Sequence, residues 1–361
     1  MKIIRVHLYE QYAQLKTPFK TALRTVDSLS SVIVEFATDE GLTGYGAASP
    51  TAAITGETMP SIICALKDYI KSAVLYQDLD LSLTEKIANA IACNASAKAA
   101  AEMALFDLLA QEKGVPLYKY LGGRQAKTLE NDITISLNPP DVMAEDAAKA
   151  VRKGIRILKV KLGGAAEQDI RRIDAVAAVG GCVIRIDANQ AWDFDTAVSV
   201  VNHCVEKNYD IQLIEQPFGR YELELMKKLK AASRIPILAD ESVFTARDAK
   251  AVASSQCADF INIKLAKSGG IAEAVRINRI AEKAGIKCLM GCMLENPIGV
   301  IAAAHFASAF DNVTMADLDA VELLQNNPID SSTIFKPDKI IITNEKPGLG
   351  ITDIWNVKRI D

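Results

Sequence analysis

The chain opens with apolar residues alternating with polar ones. MKIIRVHLYE has a period of two, and SVIVEFATDEG and then LTGYGAAS follow it. Three strands are expected, with Asp39-Glu40-Gly41 as the hairpin turn between the second and third. From about Met59 to Leu109 the apolar spacing lengthens to three and four residues, the period of helices. The Ala-rich run AKAAAEMALFDLLAQEKG stops at Gly114 and Pro116, as a helix should. LGGRQ then marks a boundary near residues 122 to 125.

Beyond Leu129 the pattern changes. Short β-branched runs (ITISL, ILKVKL, CVIRID, IQLIE, PILAD, FINIK, IKCLMG and VTMADLD) alternate with helical stretches of a dozen or more residues. From the second run onward they end near Lys161, Asp187, Glu215, Asp240, Lys264, Gly291 and Asp317, at intervals of 24 to 28 residues. One strand, one helix and two loops fill such an interval, and eight of these units close a (β/α)₈ barrel with its active site at the C-terminal strand ends. The expected α/β architecture is an α+β capping domain over residues 1–125, a barrel over 126–328, and a segment over 329–361 that breaks the rhythm and returns to the cap.

Composition narrows the function. Half of the 361 residues are hydrophobic and 24% are charged, the balance of a globular protein with a large core. With 41 basic against 45 acidic residues the net charge is −4, no footprint for nucleic acid or an anionic membrane. A small molecule is the expected partner, and a homo-oligomer stays open. Seven cysteines without a CxxC predict reduced thiols rather than disulfides. The N-terminal apolar run is too short for a secretory signal and no stretch reaches membrane-spanning length, so the expected location is the cytoplasm.

Ionisable residues close six of the apolar strands, a costly placement unless it serves chemistry. Asp187, Glu215 and Asp240 end three consecutive strands, and their mutual repulsion calls for a cation. Oxygen ligands without His or Cys favour a hard ion, one Mg²⁺ with Mn²⁺ as substitute, and leave part of its shell for water and substrate. The bland alternative is neutralisation by lysines alone. Lys159 and Lys161, two apart on one strand, share the face toward the barrel interior. Lys264 lies four strands on, across the barrel, so two amines would approach one carbon from opposite sides. Neighbouring positive charge is expected to lower their pKa values.

The motifs LKVKLG, IRIDANQAW, LIEQPF, ILADES and INIKLAKSGG, in this order, resemble the muconate-lactonising subgroup of the enolase superfamily, over nearly the whole chain. That resemblance implies an enolase-like, modified TIM barrel with Asp187, Glu215 and Asp240 on Mg²⁺, Lys161 and Lys264 as acid and base, and Lys159 assisting with the substrate carboxylate. General knowledge of enolase-superfamily sites already includes a Lys or His base with Mg²⁺ stabilising an ene-diolate. The subgroup contains cycloisomerases, o-succinylbenzoate synthases, N-acylamino acid racemases and dipeptide epimerases, so other residues must choose. Asp317 and Asp319, in ADLDA, look like the pair with which dipeptide epimerases hold a free α-ammonium. Arg24, in KTPFKTALRTVDS, matches the arginine that meets the glutamate side chain in Ala-Glu epimerases. The resemblance thus implies Mg²⁺-dependent epimerisation of the C-terminal residue of a dipeptide, L-Ala-D/L-Glu foremost, within peptidoglycan-peptide metabolism.

PTAAITGET is expected beside the substrate, with Thr134, Cys292 and Leu294 on the pocket wall. His7, His203 and His305 are read as structural or surface residues. The alternatives are an N-acylamino acid racemase or o-succinylbenzoate synthase of the same superfamily, a Schiff-base lysine aldolase, which the carboxylate trio disfavours, and a non-catalytic binding barrel.

Overall fold

The computed structural model describes all residues, 1–361. The alternating N-terminal segment forms an antiparallel sheet of Ile3–Lys20, Thr25–Thr38 and Thr43–Ala48, paired in sequence order. The C-terminal strand Val357–Arg359 joins the free edge of the first, placing Tyr9 opposite Arg359 and Gln11 opposite Val357. Against this sheet packs the helix Ala95–Glu112, whose alanines let it approach the strands closely. At Gly46 a Cβ would collide with the carbonyl oxygen of Ala100, so backbone meets backbone there.

The helical region expected over 59–109 forms three pieces. A first piece runs from Met59 through a π-helical turn at Ala65–Ile70 to Val74, a second spans Leu83–Ala90, and the third is Ala95–Glu112. Short polar residues interrupt it. Asp80 Oδ1 accepts from Ser82 N at 2.7 Å, and Asn94 takes a left-handed φ of 53°.

The barrel has eight parallel strands, each hydrogen-bonded to its sequence neighbours. They are Ile133–Ile135, Ile157–Lys161, Val183–Asp187, Ile211–Glu215, Ile237–Ala239, Phe260–Ile263, Lys287–Gly291 and Val313–Asp317, first to eighth. Several are shorter than the apolar runs suggest, so Asp240 and Lys264 each sit one residue beyond their strand. The helices between them are amphipathic, with one exception. Pro297–Ala309 is buried nearly throughout because the barrel covers one side and the cap the other.

No backbone ladder joins the first and eighth strands. Side chains lace that seam instead. Asn131 Oδ1 accepts from Leu318 N at 2.8 Å, and Asp319 Oδ2 accepts from Thr134 N at 2.7 Å. Arg185 Nη1 donates to Asp132 Oδ2 at 2.7 Å and to Ala316 O at 2.6 Å. The far end of the first cap strand crosses to the barrel rim, where Lys20 O accepts from Leu137 N and Leu15, Leu29 and Leu324 form a small joining cluster with Phe19 and Leu294 against it. This crossing carries the Thr21–Arg24 turn over the C-terminal strand ends.

Candidate active site

Lys161, Asp187, Glu215 and Asp317 are the last residues of their strands, and Asp240 and Lys264 follow theirs directly. In a parallel barrel these ends gather on one rim, and all six side chains are buried. Gly291 closes the seventh strand at the same level. A Cβ there would lie 3.0 Å from Lys264 Cε, so the bare backbone leaves this lysine its room.

The carboxylates meet ammonium groups. Lys159 Nζ lies 2.6 Å from Asp317 Oδ2, 2.7 Å from Glu215 Oε2 and 3.1 Å from Asp187 Oδ2. Lys161 Nζ is 2.6 Å from Asp187 Oδ2, and Lys264 Nζ is 2.7 Å from Asp240 Oδ2. Lys159 therefore holds the acidic groups of three strands together, a tighter engagement than assistance to a substrate carboxylate implies.

These contacts set the electrostatics. Burial alone would raise the Asp187 carboxyl, but Lys161 and Lys159 outweigh it and bring it down to about 2. Glu215 goes the other way. Burial and then the Asp187 charge push it up to about 8, although Lys159 opposes them. Burial and Asp240 likewise push Glu241 up to about 7. Burial would lower the Lys264 ammonium, yet Asp240, Glu215 and Asp317 together more than offset it and the group stands above its ordinary value. For Lys264 the expectation of a lowered pKa is thus reversed, because a carboxylate rather than a cation is its nearest charge.

No three His, Cys, Asp or Glu side chains surround a common point as they would a bound metal. The donor set nevertheless fits a hard cation. Asp187, Glu215 and Asp240 supply oxygen only, and the buried oxygens Asn262 Oδ1, Glu241 Oε2 and Asn189 Oδ1 beside them have no hydrogen-bond partner. Asn262 and Asn189 are tied into the same group, Asn262 Nδ2 donating to Glu215 Oε1 at 2.9 Å and Asn189 N to Asp187 Oδ1 at 2.9 Å.

A cleft opens above the rim. Lys161 and Lys264 border its middle with Cys292, Met293, Leu294 and Phe19. One end runs beneath the cap, where Arg24 and the loop residues Thr51 and Ile54 line it. The other end reaches Thr134, Asp317 and Asp319. The Thr51–Ile54 loop is anchored from behind, since the Glu57 carboxylate accepts from Ser96 N and Ala97 N at the start of the cap helix. Arg24 makes no ion pair, and burial lowers its guanidinium. At the opposite end burial and Asp317 push the Asp319 carboxyl up to about 6.

Every candidate residue from the sequence borders or underlies this cleft, except for the three histidines, which were expected to lie elsewhere. His7 meets Asp361, His203 meets Asp174, and His305 is buried, with its Nδ1 accepting from Tyr118 N. All seven cysteines are free. Sequence reasoning missed Glu241, Asn262 and Lys267. Their spacing did carry a signal: Asn262 precedes Lys264 by two on a strand and so shares its inward face, and Lys267 follows Lys264 by one helical turn.

Comparison with known proteins agrees with this geometry. The enolase C-terminal domain-like family model matches residues 142–353, and the mandelate racemase/muconate lactonizing enzyme N-terminal domain model matches residues 3–122. The L-Ala-D/L-Glu epimerase of Clostridium acetobutylicum is 42% identical over 95% of this chain and 96% of its own. That of Bacillus subtilis is 43% identical over 97% of each. A solved substrate-liganded complex of the Bacillus subtilis epimerase superposes with a TM-score of 0.96 at 42% identity, covering 98% of this chain and all (100%) of that one. The Enterococcus faecalis dipeptide epimerase, solved with Mg and L-Leu-L-Tyr, gives a TM-score of 0.93 at 38% identity and covers 98% of this chain and 100% of its own. No helix is long and apolar enough to cross a membrane. The chain belongs to the mandelate racemase/muconate lactonizing enzymes of the enolase superfamily, and its relatives are isomerases acting on dipeptides.

Proposed function

We propose that this protein is a Mg²⁺-dependent dipeptide epimerase that inverts the α-carbon of the C-terminal residue, with L-Ala-D/L-Glu as its foremost substrate. The observation that carries the reading is one cleft with two lysines at its middle, an unpaired Arg24 at one end and Asp317 with Asp319 at the other. A dipeptide is charged in the complementary order: ammonium, α-carboxylate beside the reacting carbon, side-chain carboxylate. The α-ammonium pairs with Asp317 and Asp319, and a glutamate side chain meets the Arg24 fork.

Asp187, Glu215 and Asp240 would hold the Mg²⁺ ion, as the Mg complex of the Enterococcus faecalis relative supports. When bound, the ion supplies positive charge to the α-carboxylate as enolate character develops there. With that ion facing the carboxylates, Lys161 and Lys264, which border the cleft, would be free to face the substrate. The neutral amine of one takes the α-proton, and the ammonium of the other returns a proton to the opposite face. One proton leaves and one arrives, so only the configuration changes. Lys161 serves the (R) epimer and Lys264 the (S) epimer. Lys159, locked among three carboxylates, keeps them aligned. The reading includes a cytoplasmic setting, with which seven free thiols agree.

Proton NMR in D₂O with Mg²⁺ tests it, using L-Ala-L-Glu, a hydrophobic dipeptide, a cationic dipeptide and N-acetyl-glutamate, each with an EDTA control. Metal-dependent loss of the C-terminal α-proton signal is expected with L-Ala-L-Glu. Exchange confined to N-acetyl-glutamate would sink the dipeptide reading in favour of an acylamino acid racemase.

A further inference from the structure

Lys267 is almost wholly buried, and the three hydrogens of its ammonium go to one place. The group contacts the backbone oxygen of Asp240 and lies 2.6 Å from Asp240 Oδ1 and 3.1 Å from Asn262 O. Asp240 follows the fifth barrel strand and Asn262 belongs to the sixth. The ladder between these strands has only two pairs, Leu238 with Phe260 and Ala239 with Ile261. It stops one residue short of both Asp240 and Asn262. There the Lys267 ammonium takes over, joining the two carbonyls that the ladder leaves unpaired.

Asp240 is thus held by two lysines that differ in kind. Lys264 touches Oδ2 and borders the cleft. Lys267 touches Oδ1 from behind, is only 1% exposed, and cannot leave without giving up its bonds to two buried carbonyls, of which Asp240 O keeps only Val243 N as a donor. The first is free to exchange partners, whereas the second is built in.

We propose that Lys267 is a positioning residue. It fixes the position and rotation of the Asp240 carboxylate so that Oδ2 faces the cleft whether or not Lys264 occupies it. This rests on Asp240 being a Mg²⁺ ligand. The effect on metal binding then has a sign that simple charge does not give. By Coulomb repulsion a nearby ammonium weakens Mg²⁺ binding, so its removal should tighten the site. As an anchor for a ligand it strengthens binding, so its removal should loosen it.

Isothermal titration of the whole protein with MgCl₂ decides between these. The Lys267→Met variant is expected to bind Mg²⁺ about 10–100-fold more weakly than the wild type, the range typical of partners that orient a metal ligand. Lys267→Arg, which keeps charge and donors, should recover part of that loss. Unchanged or tighter binding by a folded Lys267→Met would overturn the proposal. Wild-type protein that binds no Mg²⁺ would instead overturn the ligand reading on which the proposal stands. Should Lys267→Met fail to fold, a crystal structure of the wild type grown with MgCl₂ serves in its place. There Lys267 should remain on Asp240 and Asn262 O while Lys264 has left Asp240. Displacement of Lys267 from Asp240 would refute the anchor.

Discussion

Lys159 and Arg24 border the same cleft from different layers of the molecule, and their surroundings are opposite. Lys159, on the second barrel strand, has three carboxylates within 3.1 Å and is 2% exposed. Arg24, on the cap turn, has no carboxylate partner at all and is only half-buried. The barrel rim is an already neutralised network in which each side chain is pinned by several others, as strands at fixed spacing allow. The cap turn presents a cation with nothing to neutralise it until an anion enters. Rigid elements suit a step common to all substrates, and loops suit what distinguishes one substrate from another.

That contrast can be broken first at the rim. Replacing Lys264 with Ala should reduce inversion by about 10²–10⁴-fold, the usual range for a general acid or base, while one epimer still exchanges its α-proton with D₂O. Full inversion in this variant, followed by polarimetry, would end the two-base scheme. At the ammonium end, the Asp317→Asn, Asp319→Asn double variant should raise KM for L-Ala-L-Glu by about 10–100-fold, which corresponds to the loss of one charge-assisted contact. Steady-state kinetics would tell against the assignment if N-acetyl-glutamate became no better a substrate relative to the dipeptide.

The cap should respond differently. Arg24→Met is expected to lower kcat/KM for L-Ala-L-Glu by about 10-fold and leave a hydrophobic dipeptide unharmed, since only the glutamate carboxylate loses its partner. Equal losses on both substrates would mean that Arg24 merely supports the turn. The remaining test concerns pH. Burial raises the Glu215 carboxyl to about 8 from an ordinary value of 4.5, so below that pH a proton competes with Mg²⁺ for it. Mg²⁺ affinity should therefore rise by roughly 50-fold between pH 6 and 8, as the ionised fraction of one such carboxyl does, with proton release measurable by calorimetry in buffers of different ionisation enthalpy. An affinity independent of pH over this interval would remove Glu215 from the ligand set.

Much of the site was legible because a barrel converts sequence period into spatial position. Asp187, Glu215 and Asp317 each end an apolar run, and hydrogen-bonding of consecutive parallel strands brings such ends to one rim without further information. Lys159 and Lys161 shared a face for the same reason. The seam was not legible. Asn131, Asp132 and Thr134 meet Leu318, Arg185 and Asp319, and Arg185 in turn meets Ala316 O, only because the first and eighth strands lack a ladder, and nothing along the chain signals a missing hydrogen bond. Nor was the pairing of charges, since attraction among seven acidic and basic groups depends on distances that a linear spacing leaves undefined.

By itself the sequence determined which elements form and which residues stand at their ends, because hydrophobic period and turn chemistry act over a few residues. It also determined that the rim would be oxygen-rich and charged. Only the tertiary structure decided which lysine holds which carboxylate, that Glu215 rises while Asp187 falls, and that Lys267 anchors Asp240 from behind. Those outcomes follow from burial and from charge separations of about 3 Å between groups far apart in the chain, quantities that exist only after the barrel has closed.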